Sequence, residues 1–316
     1  MEMSKLARRK QLHRVAVIGF GSQGRAHAIR LSEAGKDVCV GLRTGSRSRS
    51  RARRSGFRVA TPKRAVTQCD AVAIMVPDRL GASVLEEISP FICAGALVVF
   101  AAGYPLVFPK QKKFTGLDVV LVAPHGPGID LADGVAMSGF VGTSQDSTGR
   151  AQLRARAYAR TIGLNPLIET TPRQEALGDL FGEQTLLCGG LAGLTAAVVS
   201  TMIKRGVKPE HAYFETVAQL RQLADLLSDG GLERFWNEIS DCAAAGSAYA
   251  APRLFNRDFK KRLDEVFEHI ESGRFARKFQ KRGRPKRWPA DWNVLVKLER
   301  AAGKKRGGPK EPPRSS

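Results

Sequence analysis

The stretch Gly19-Phe20-Gly21-Ser22-Gln23-Gly24 decides the fold, because its glycines have the spacing of a dinucleotide-binding turn. The apolar run Val15–Gly19 leads into it, and the helix-like run Ala26–Ala34 follows. Glycines at these positions let the backbone turn tightly and approach a pyrophosphate, which then lies at the helix N-terminus. We therefore predict a dinucleotide site at Gly19, Gly21, Ser22, Gln23 and Gly24.

Strand and helix signals alternate through the first half of the chain and predict a doubly wound, parallel α/β sheet. The further strand candidates are Val38–Leu42, Ala71–Val76, Leu97–Phe100 and Val119–Ala123. After Thr171 the apolar residues recur at helical spacing, which predicts an all-helical second domain. We therefore expect a Rossmann domain over 1–170, an all-helical domain over 171–280, and a tail over 281–316.

The chain of 316 residues has a net charge of +21, carried mainly by two stretches. Arg43–Arg64 holds nine basic residues and no acid, and Lys281–Ser316 holds twelve basic residues and three acids. Such a balance favours anionic partners. We interpret the tail as a disordered, solubilising extension, apart from a helix at Trp292–Ala301. We consider a nucleic-acid partner the weaker alternative.

Thr185–Ile203 contains no charged residue and has the length of a membrane span. It is rich in Gly, Thr and Ser, however, and Asp179 and Glu183 lie close by. We interpret it as a buried helix of a helical core and expect no membrane association. Met1–Arg14 is basic and lacks the apolar run of a secretory signal, so we expect a cytoplasmic protein.

The residues after the second predicted strand indicate which dinucleotide is bound. An NAD site tends to place an acid there to hold the ribose hydroxyls. This chain has a cation and hydroxyls instead, which suit the 2′-phosphate of NADP(H), at Arg43, Ser46 and Ser48. The later arginines of the run, Arg51, Arg53 and Arg54, are interpreted as a solvated helix face.

Two pairs of oxygen-bearing side chains are spaced four residues apart in helical segments. Asp179 and Glu183 form one pair, and Glu215 and Gln219 form the other. This spacing places both members on one helix face, where they can hold Mg²⁺. The same spacing is common on solvated helices, so by itself it leaves both interpretations open.

Longer strings occur in order along the chain: Gly41-Leu-Arg-x-Gly-Ser46, Val76-Pro-Asp78, Ala123-Pro-x-Gly-Pro-Gly128, Gln145-Asp-x-Thr-Gly149, Ile168-Glu-Thr-Thr171, Asp179-Leu-Phe-Gly-Glu-Gln184, Leu187-Cys-Gly-Gly190, Ala212-Tyr-Phe-Glu215 and Gly230-Gly-Leu232. Together with the glycine-rich turn, they make the chain resemble the ketol-acid reductoisomerases of the short, bacterial type over roughly Arg14–Phe279. The resemblance implies a knotted, dimeric helical domain and an active site shared between subunits.

The resemblance also implies an activity in two parts on the branched-chain amino-acid biosynthetic route. A Mg²⁺-dependent alkyl migration converts an acetohydroxy acid to a 2-keto intermediate, which NADPH then reduces. By the same resemblance, Asp179 and Glu183 are metal ligands and Glu215 is a third ligand from the facing subunit. Ser240 corresponds to a contact with the substrate carboxylate.

Three positions depart from the family pattern. Ala102 stands where the family has an active-site histidine, His125 replaces a lysine, and Gln219 replaces the fourth metal-binding glutamate. These changes weaken the second metal position and remove proton-handling groups. The hydride-transfer scaffold is expected to persist. A full reductoisomerase, a diverged paralogue that only reduces a 2-keto acid, and a non-catalytic NADPH-binding relative with a basic interaction tail all remain open.

Overall fold

The structure is a computed structural model that describes residues 12–108 and 112–301. The chain divides into two compact units, of which the first comprises Met1–Asp179 with Ala276–Lys281. The second comprises Leu180–Phe275 with Arg282–Ser316. The expected boundary at residue 170 therefore differs from the structural one by nine residues, and a short C-terminal segment joins the first unit.

The first unit is built on an eight-stranded sheet. The strands are β1 (Arg14–Ile18), β2 (Asp37–Gly41), β3 (Arg58–Ala60), β4 (Ala71–Ile74), β5 (Leu97–Phe100), β6 (Asp118–Pro124), β7 (Met137–Gln145) and β8 (Leu164–Glu169), in the order β3-β2-β1-β4-β5-β6-β7-β8. The pairs from β3 to β6 are parallel, whereas β7 pairs antiparallel with β6, and β8 pairs parallel with β7. The doubly wound Rossmann prediction is confirmed, and it is extended by two strands of reversed direction.

Helices cover the two faces of this sheet. They are α1 (Ser22–Glu33), α2 (Ser48–Arg54), α3 (Pro62–Ala65), α4 (Asp78–Ile88), α5 (Tyr104–Val107), α6 (Gly128–Ala132), α7 (Ala151–Thr161) and α8 (Pro172–Gly182), with a 3₁₀ turn at Ser89–Phe91. Along β1, Val15 and Val17 enter one apolar core with α1 and α7. Ala16 and Ile18 enter the other core with α4. Alternate residues of the strand are thus buried on opposite faces, as a parallel sheet between helices requires.

The second unit is helical. A π-helical turn at Glu183–Leu187 leads into α9 (Gly189–Lys204), followed by α10 (Pro209–Phe214), α11 (Leu220–Glu238), α12 (Asp241–Leu254) and α13 (Arg257–Glu271). Next come α14 (Arg274–Arg282), a 3₁₀ turn at Ala290–Trp292 and α15 (Asn293–Ala301). After β8, no strand occurs in the described part of the chain, which confirms the prediction of a helical second half.

For the second unit, one expectation is confirmed and one is corrected. The helix expected at Trp292–Ala301 is α15, whose Leu298 is 1% exposed and lies in one apolar cluster with Val199, Ala212 and Tyr213. Residues 302–316 of the expected tail lie outside the described residues. The apolar helix expected in a buried core is largely exposed in the single chain, since α9 buries only Ala196 and Val199.

Candidate functional site

The glycine-rich turn between β1 and α1 adopts a backbone that only glycine fits well. Gly19 has φ of +106°, and a Cβ built on it would lie 2.2 Å from the carbonyl oxygen of Met75. A Cβ on Gly24 would lie 2.6 Å from the carbonyl oxygen of Gly19. At Gly21 an added Cβ would meet none of the described atoms within 4 Å. The turn is therefore packed against the sheet at its two ends and open to a ligand in its middle.

Helix α1 begins at this open turn. Gly21 is its N-cap and supplies no side-chain hydrogen bond, so the first backbone N–H groups, which include those of Ser22 and Gln23, point into the opening. A pyrophosphate is the ligand that such a helix N-terminus favours. The Gln23 side chain spans to the loop after β6, where its Nε2 donates to the carbonyl oxygen of Gly126 at 3.3 Å.

The end of β2 lies beside the turn, because Gly19 N–H donates to the carbonyl oxygen of Gly41 at 3.1 Å. Arg43 follows and is exposed. Ser46 lies in the next loop and Ser48 is the first residue of α2; both are half-buried, and the Ser48 backbone N–H donates to Ser46 Oγ at 3.3 Å. The three residues predicted for a 2′-phosphate thus follow directly after the end of β2 that is hydrogen-bonded to the glycine-rich turn.

Arg51 makes a contact with the glycine-rich turn that the sequence interpretation did not predict. Although its side chain is exposed, its Nη2 donates to the carbonyl oxygen of Phe20 at 2.6 Å. The sequence interpretation placed this residue on a solvated face together with Arg53 and Arg54. Arg51 is exposed as expected, but it also contacts the turn, because tertiary folding brings α2 close to a turn that lies 31 residues earlier.

His125 and Asp179 lie within electrostatic range of each other in the first unit, His125 directly after β6 and Asp179 near the end of α8. The His125 Nδ1 lies 2.9 Å from Ser138 Oγ, and its ring packs edge-on against Phe140 with centroids 4.1 Å apart. Partial burial lowers the pKa of His125, while the charge of Asp179 opposes that shift. The imidazole is therefore mainly neutral near pH 7.

A second carboxylate, Asp78 at the start of α4, lies within electrostatic range of Asp179. Burial raises the pKa of Asp78, and the negative charge of Asp179 raises it further. Burial also raises the pKa of Asp179, and the proximity of His125 lowers it. The three side chains come from the carboxyl ends of β4 and β6 and from α8. Ligands of open parallel sheets bind at this edge.

The loop that carries Ala102 is supported by a buried acid that was absent from the predicted site. Glu175 is 5% exposed, and its Oε2 accepts a hydrogen bond from the Gly103 backbone N–H at 2.6 Å. The following residue, Tyr104, is 3% exposed and packs against Phe279 at a centroid distance of 5.5 Å. Burial raises the pKa of Tyr104, so its phenol stays protonated.

The remaining predicted site residues belong to the second unit. Glu183 opens the π-helical turn, and Glu215 and Gln219 lie in the exposed segment between α10 and α11. Gln219 Nε2 donates to the carbonyl oxygen of Phe214 at 2.8 Å and reaches Glu215 Oε2 at 3.5 Å. Ser240 caps α12, since its Oγ accepts from Ala243 N–H at 3.2 Å. Over residues 12–108 and 112–301, no three His, Cys, Asp or Glu side chains gather closely enough to hold a metal ion.

Comparison with known proteins bears directly on this arrangement. Residues 10–167 match the family described as acetohydroxy acid isomeroreductase, NADPH-binding domain. Residues 173–305 match the family described as ketol-acid reductoisomerase, C-terminal domain. The two matches cover most of the chain, including the helix α15 that the resemblance had left outside.

Solved structures agree with these matches. An NADH-preferring ketol-acid reductoisomerase from an uncultured archean is 29% identical, with a TM-score of 0.82, over 90% of this chain and 93% of that one. Two more distant structures share the fold. A semialdehyde dehydrogenase NAD-binding protein from Cupriavidus necator is 19% identical, with a TM-score of 0.63, over 85% of this chain and 99% of that one. A pyrroline carboxylate reductase from Plasmodium falciparum is 13% identical, with a TM-score of 0.52, over 83% of this chain and 98% of that one.

The matched domains and the glycine-rich site agree, and the chain belongs to the ketol-acid reductoisomerase family of nicotinamide-dependent oxidoreductases.

Proposed function

We propose that this enzyme prefers NADPH and that it reduces a 2-keto acid faster than it catalyses the preceding alkyl migration. Family membership by itself leaves the cofactor open, because the solved relative prefers NADH. The observation that carries the NADPH preference is the segment after β2, beside the glycine-rich turn. Arg43, Ser46 and Ser48 follow the end of β2 that is hydrogen-bonded to this turn, and no acid occurs from Arg43 to Arg64. A 2′-phosphate is attracted to this segment, whereas a ribose hydroxyl finds no carboxylate partner.

His125 is the side chain that we assign to the substrate carbonyl. NADPH, when bound, supplies a hydride to the carbonyl carbon. When Ser138 Oγ donates to Nδ1 of His125, the proton of the neutral imidazole is on Nε2, which can donate to the carbonyl oxygen. A lowered pKa keeps the imidazole in this neutral form near pH 7. Reduction therefore retains a hydrogen-bond donor in the place of the family's lysine.

More of the residues that the alkyl migration needs are replaced in this chain. Ala102 has no side chain that can carry a proton, although its loop is still held by Glu175. Gln219 directs the N–H donors of its amide at Phe214 and Glu215, where the family has a carboxylate oxygen for the metal. Migration depends on strong polarisation of the substrate oxygens by metal ions. We therefore expect the migration step to be slower than the reduction step.

Mg²⁺ is proposed at Asp179 and Glu183, with Glu215 contributed by a second copy of the chain. Carboxylate oxygens are the ligands that Mg²⁺ prefers, so the chemistry of these donors fits the ion. The described part of one chain gathers no metal-binding group of three. This is consistent with a site that one subunit cannot complete. A bound Mg²⁺ would polarise the substrate carbonyl as a Lewis acid.

The second copy is also proposed to cover α9. The segment Pro172–Lys204 is the one helical segment of the described residues that is long and apolar enough to cross a membrane, and 11% of its most apolar window is buried. On α9, Leu191, Leu194 and Val198 are 48%, 52% and 41% exposed. Apolar exposure on this scale in a nicotinamide-dependent enzyme favours an interface between copies. A cytoplasmic location remains a prediction.

One experiment tests whether the migration step and the reduction step are retained. NADPH oxidation is followed with acetolactate and with its rearranged 3-hydroxy-2-keto isomer, side by side and with Mg²⁺. We expect faster turnover of the rearranged isomer. Equal rates would contradict the loss of the migration step, and turnover of neither would favour a non-catalytic relative.

A further inference from the structure

The guanidinium group of Arg51 lies beside the glycine-rich turn. Its Nη2 donates to the carbonyl oxygen of Phe20 in the glycine-rich turn, and its Cζ lies 5.7 Å from the centroid of the Phe20 ring. Phe20 is 2% exposed and packs edge-on against Phe57, so this carbonyl has a fixed position. The guanidinium is therefore fixed to a rigid part of the turn while its side chain remains open to solvent.

The other arginines of α2 have different environments. Arg49 donates from Nη1 to the carbonyl oxygens of Leu42 at 2.7 Å and Ala60 at 3.4 Å, so it braces the end of β2. The side chains of Arg53 and Arg54 are exposed and make no hydrogen bond or ion pair with any residue that the structure describes. Within α2, only Arg51 combines solvent exposure with a contact to the glycine-rich turn.

We propose that Arg51 is a second cation for the 2′-phosphate of NADPH, beside Arg43. Ser48 and Arg51 are three residues apart on α2 and so lie on one helix face. Helical side chains lean toward the helix N-terminus, which directs Arg51 toward Ser48 and the preceding loop with Ser46. The hydrogen bond to Phe20 uses one of five guanidinium donors, and a phosphate can accept from two others. This inference rests on the proposed NADPH preference.

A purely structural role makes a different prediction. If Arg51 only braces the glycine-rich turn, its loss weakens every ligand that uses the turn, with or without a 2′-phosphate. If Arg51 binds the 2′-phosphate, the loss is confined to ligands that carry this group. The two roles are separated by comparing matched nucleotides rather than by measuring activity.

Binding of NADPH, NADH, 2′,5′-ADP and 5′-ADP to the full chain is measured by calorimetry for the native protein, Arg51→Ala, Arg51→Lys and the matched control Arg53→Ala. We expect Arg51→Ala to weaken NADPH and 2′,5′-ADP by about 10- to 100-fold, the range for hydrogen bonds to charged groups. NADH and 5′-ADP should change by less than about 2-fold, as should all four ligands with Arg53→Ala, whose contribution is solvent-screened. Arg51→Lys should give an intermediate loss, because lysine keeps the charge without the fork.

An equal loss for all four ligands, or no loss for any, would overturn the proposal. If Arg51→Ala fails to fold, Arg51→Lys still decides the matter by whether its loss is confined to the 2′-phosphate ligands. The native protein tests the NADPH preference separately. Equal native affinity for NADPH and NADH would sink that preference, while a selective loss in the variants would still support Arg51 as a 2′-phosphate ligand.

Discussion

His27 makes the stability of this enzyme depend on pH in a way that can be calculated. It lies on α1 with 0% exposure, and its Nδ1 is 2.9 Å from Tyr158 Oη. Burial lowers the pKa of His27 from 6.5 to about 3. The unfolded chain therefore binds a proton at His27 below about pH 6.5, while the folded chain does not until about pH 3. Because the unfolded state binds more protons in this window, stability falls as the pH falls through it.

The size of the effect at pH 5 follows from the two pKa values. The ordinary pKa lies about 1.5 units above pH 5, and each unit corresponds to about 1.36 kcal/mol, so His27 should cost about 2 kcal/mol of unfolding free energy. The folded-state pKa of about 3 lies well below pH 5 and changes this figure little. A loss of about 2 kcal/mol is a large share of the 5–15 kcal/mol of a typical protein.

The assay is urea unfolding followed by circular dichroism at pH 7 and pH 5. His27→Phe should be less stable than the native protein at pH 7, because the Tyr158 hydroxyl loses its buried partner. Its further loss between pH 7 and pH 5 should be about 2 kcal/mol smaller than the native loss. Tyr158→Phe is the matched control and should keep the native pH dependence, since burial is the cause of the shift. The same pH-dependent loss in His27→Phe and in the native protein would refute the reasoning.

Four further predictions concern the site and the second unit. Arg43→Asp should weaken NADPH binding by about 1–3 kcal/mol, the scale of a charge-assisted hydrogen bond, and calorimetry that shows no change would count against the 2′-phosphate site. Restoring Ala102→His, His125→Lys and Gln219→Glu together should raise the rate with acetolactate more than the rate with its rearranged isomer, and the three effects should not simply add. Leu298→Ala should lower the unfolding free energy by about 2–4 kcal/mol in urea titrations, because this side chain is 1% exposed. Sedimentation at micromolar concentration should give at least a dimer, and a fully active monomer would contradict the shared site.

The local part of the cofactor site could be predicted because the residues that form it are consecutive in the sequence. The turn from Gly19 to Gly24 and the loop from Arg43 to Ser48 each determine their own backbone and donors, and the structure brings them together. Arg51 and Glu175 could not be found in this way. Their partners, Phe20 and Gly103, lie 31 and 72 residues away, so only the tertiary fold reveals the contacts.

Three strands of the sheet were not predicted: β3, which has only three residues, β7 and β8. β7 contains Gly139 and Gly142 and ends in polar residues, so it lacks the continuous apolar run of the inner parallel strands. β8 contains Pro166 and is mainly exposed, as an edge strand tolerates. The apolar helix α9 was expected inside a core because its composition shows that it needs cover without showing what provides it.

The return of Ala276–Lys281 to the first unit has a consequence for synthesis of the protein on the ribosome. The sheet and α8 are complete once Gly182 has been made, but the α14 segment that packs on Tyr104 is translated about 95 residues later. At roughly 5–20 residues per second, that interval is about 5–20 s. During it, the nascent first unit carries an aromatic face that its own chain has not yet covered. The first unit therefore reaches its finished form only after most of the second unit has been made.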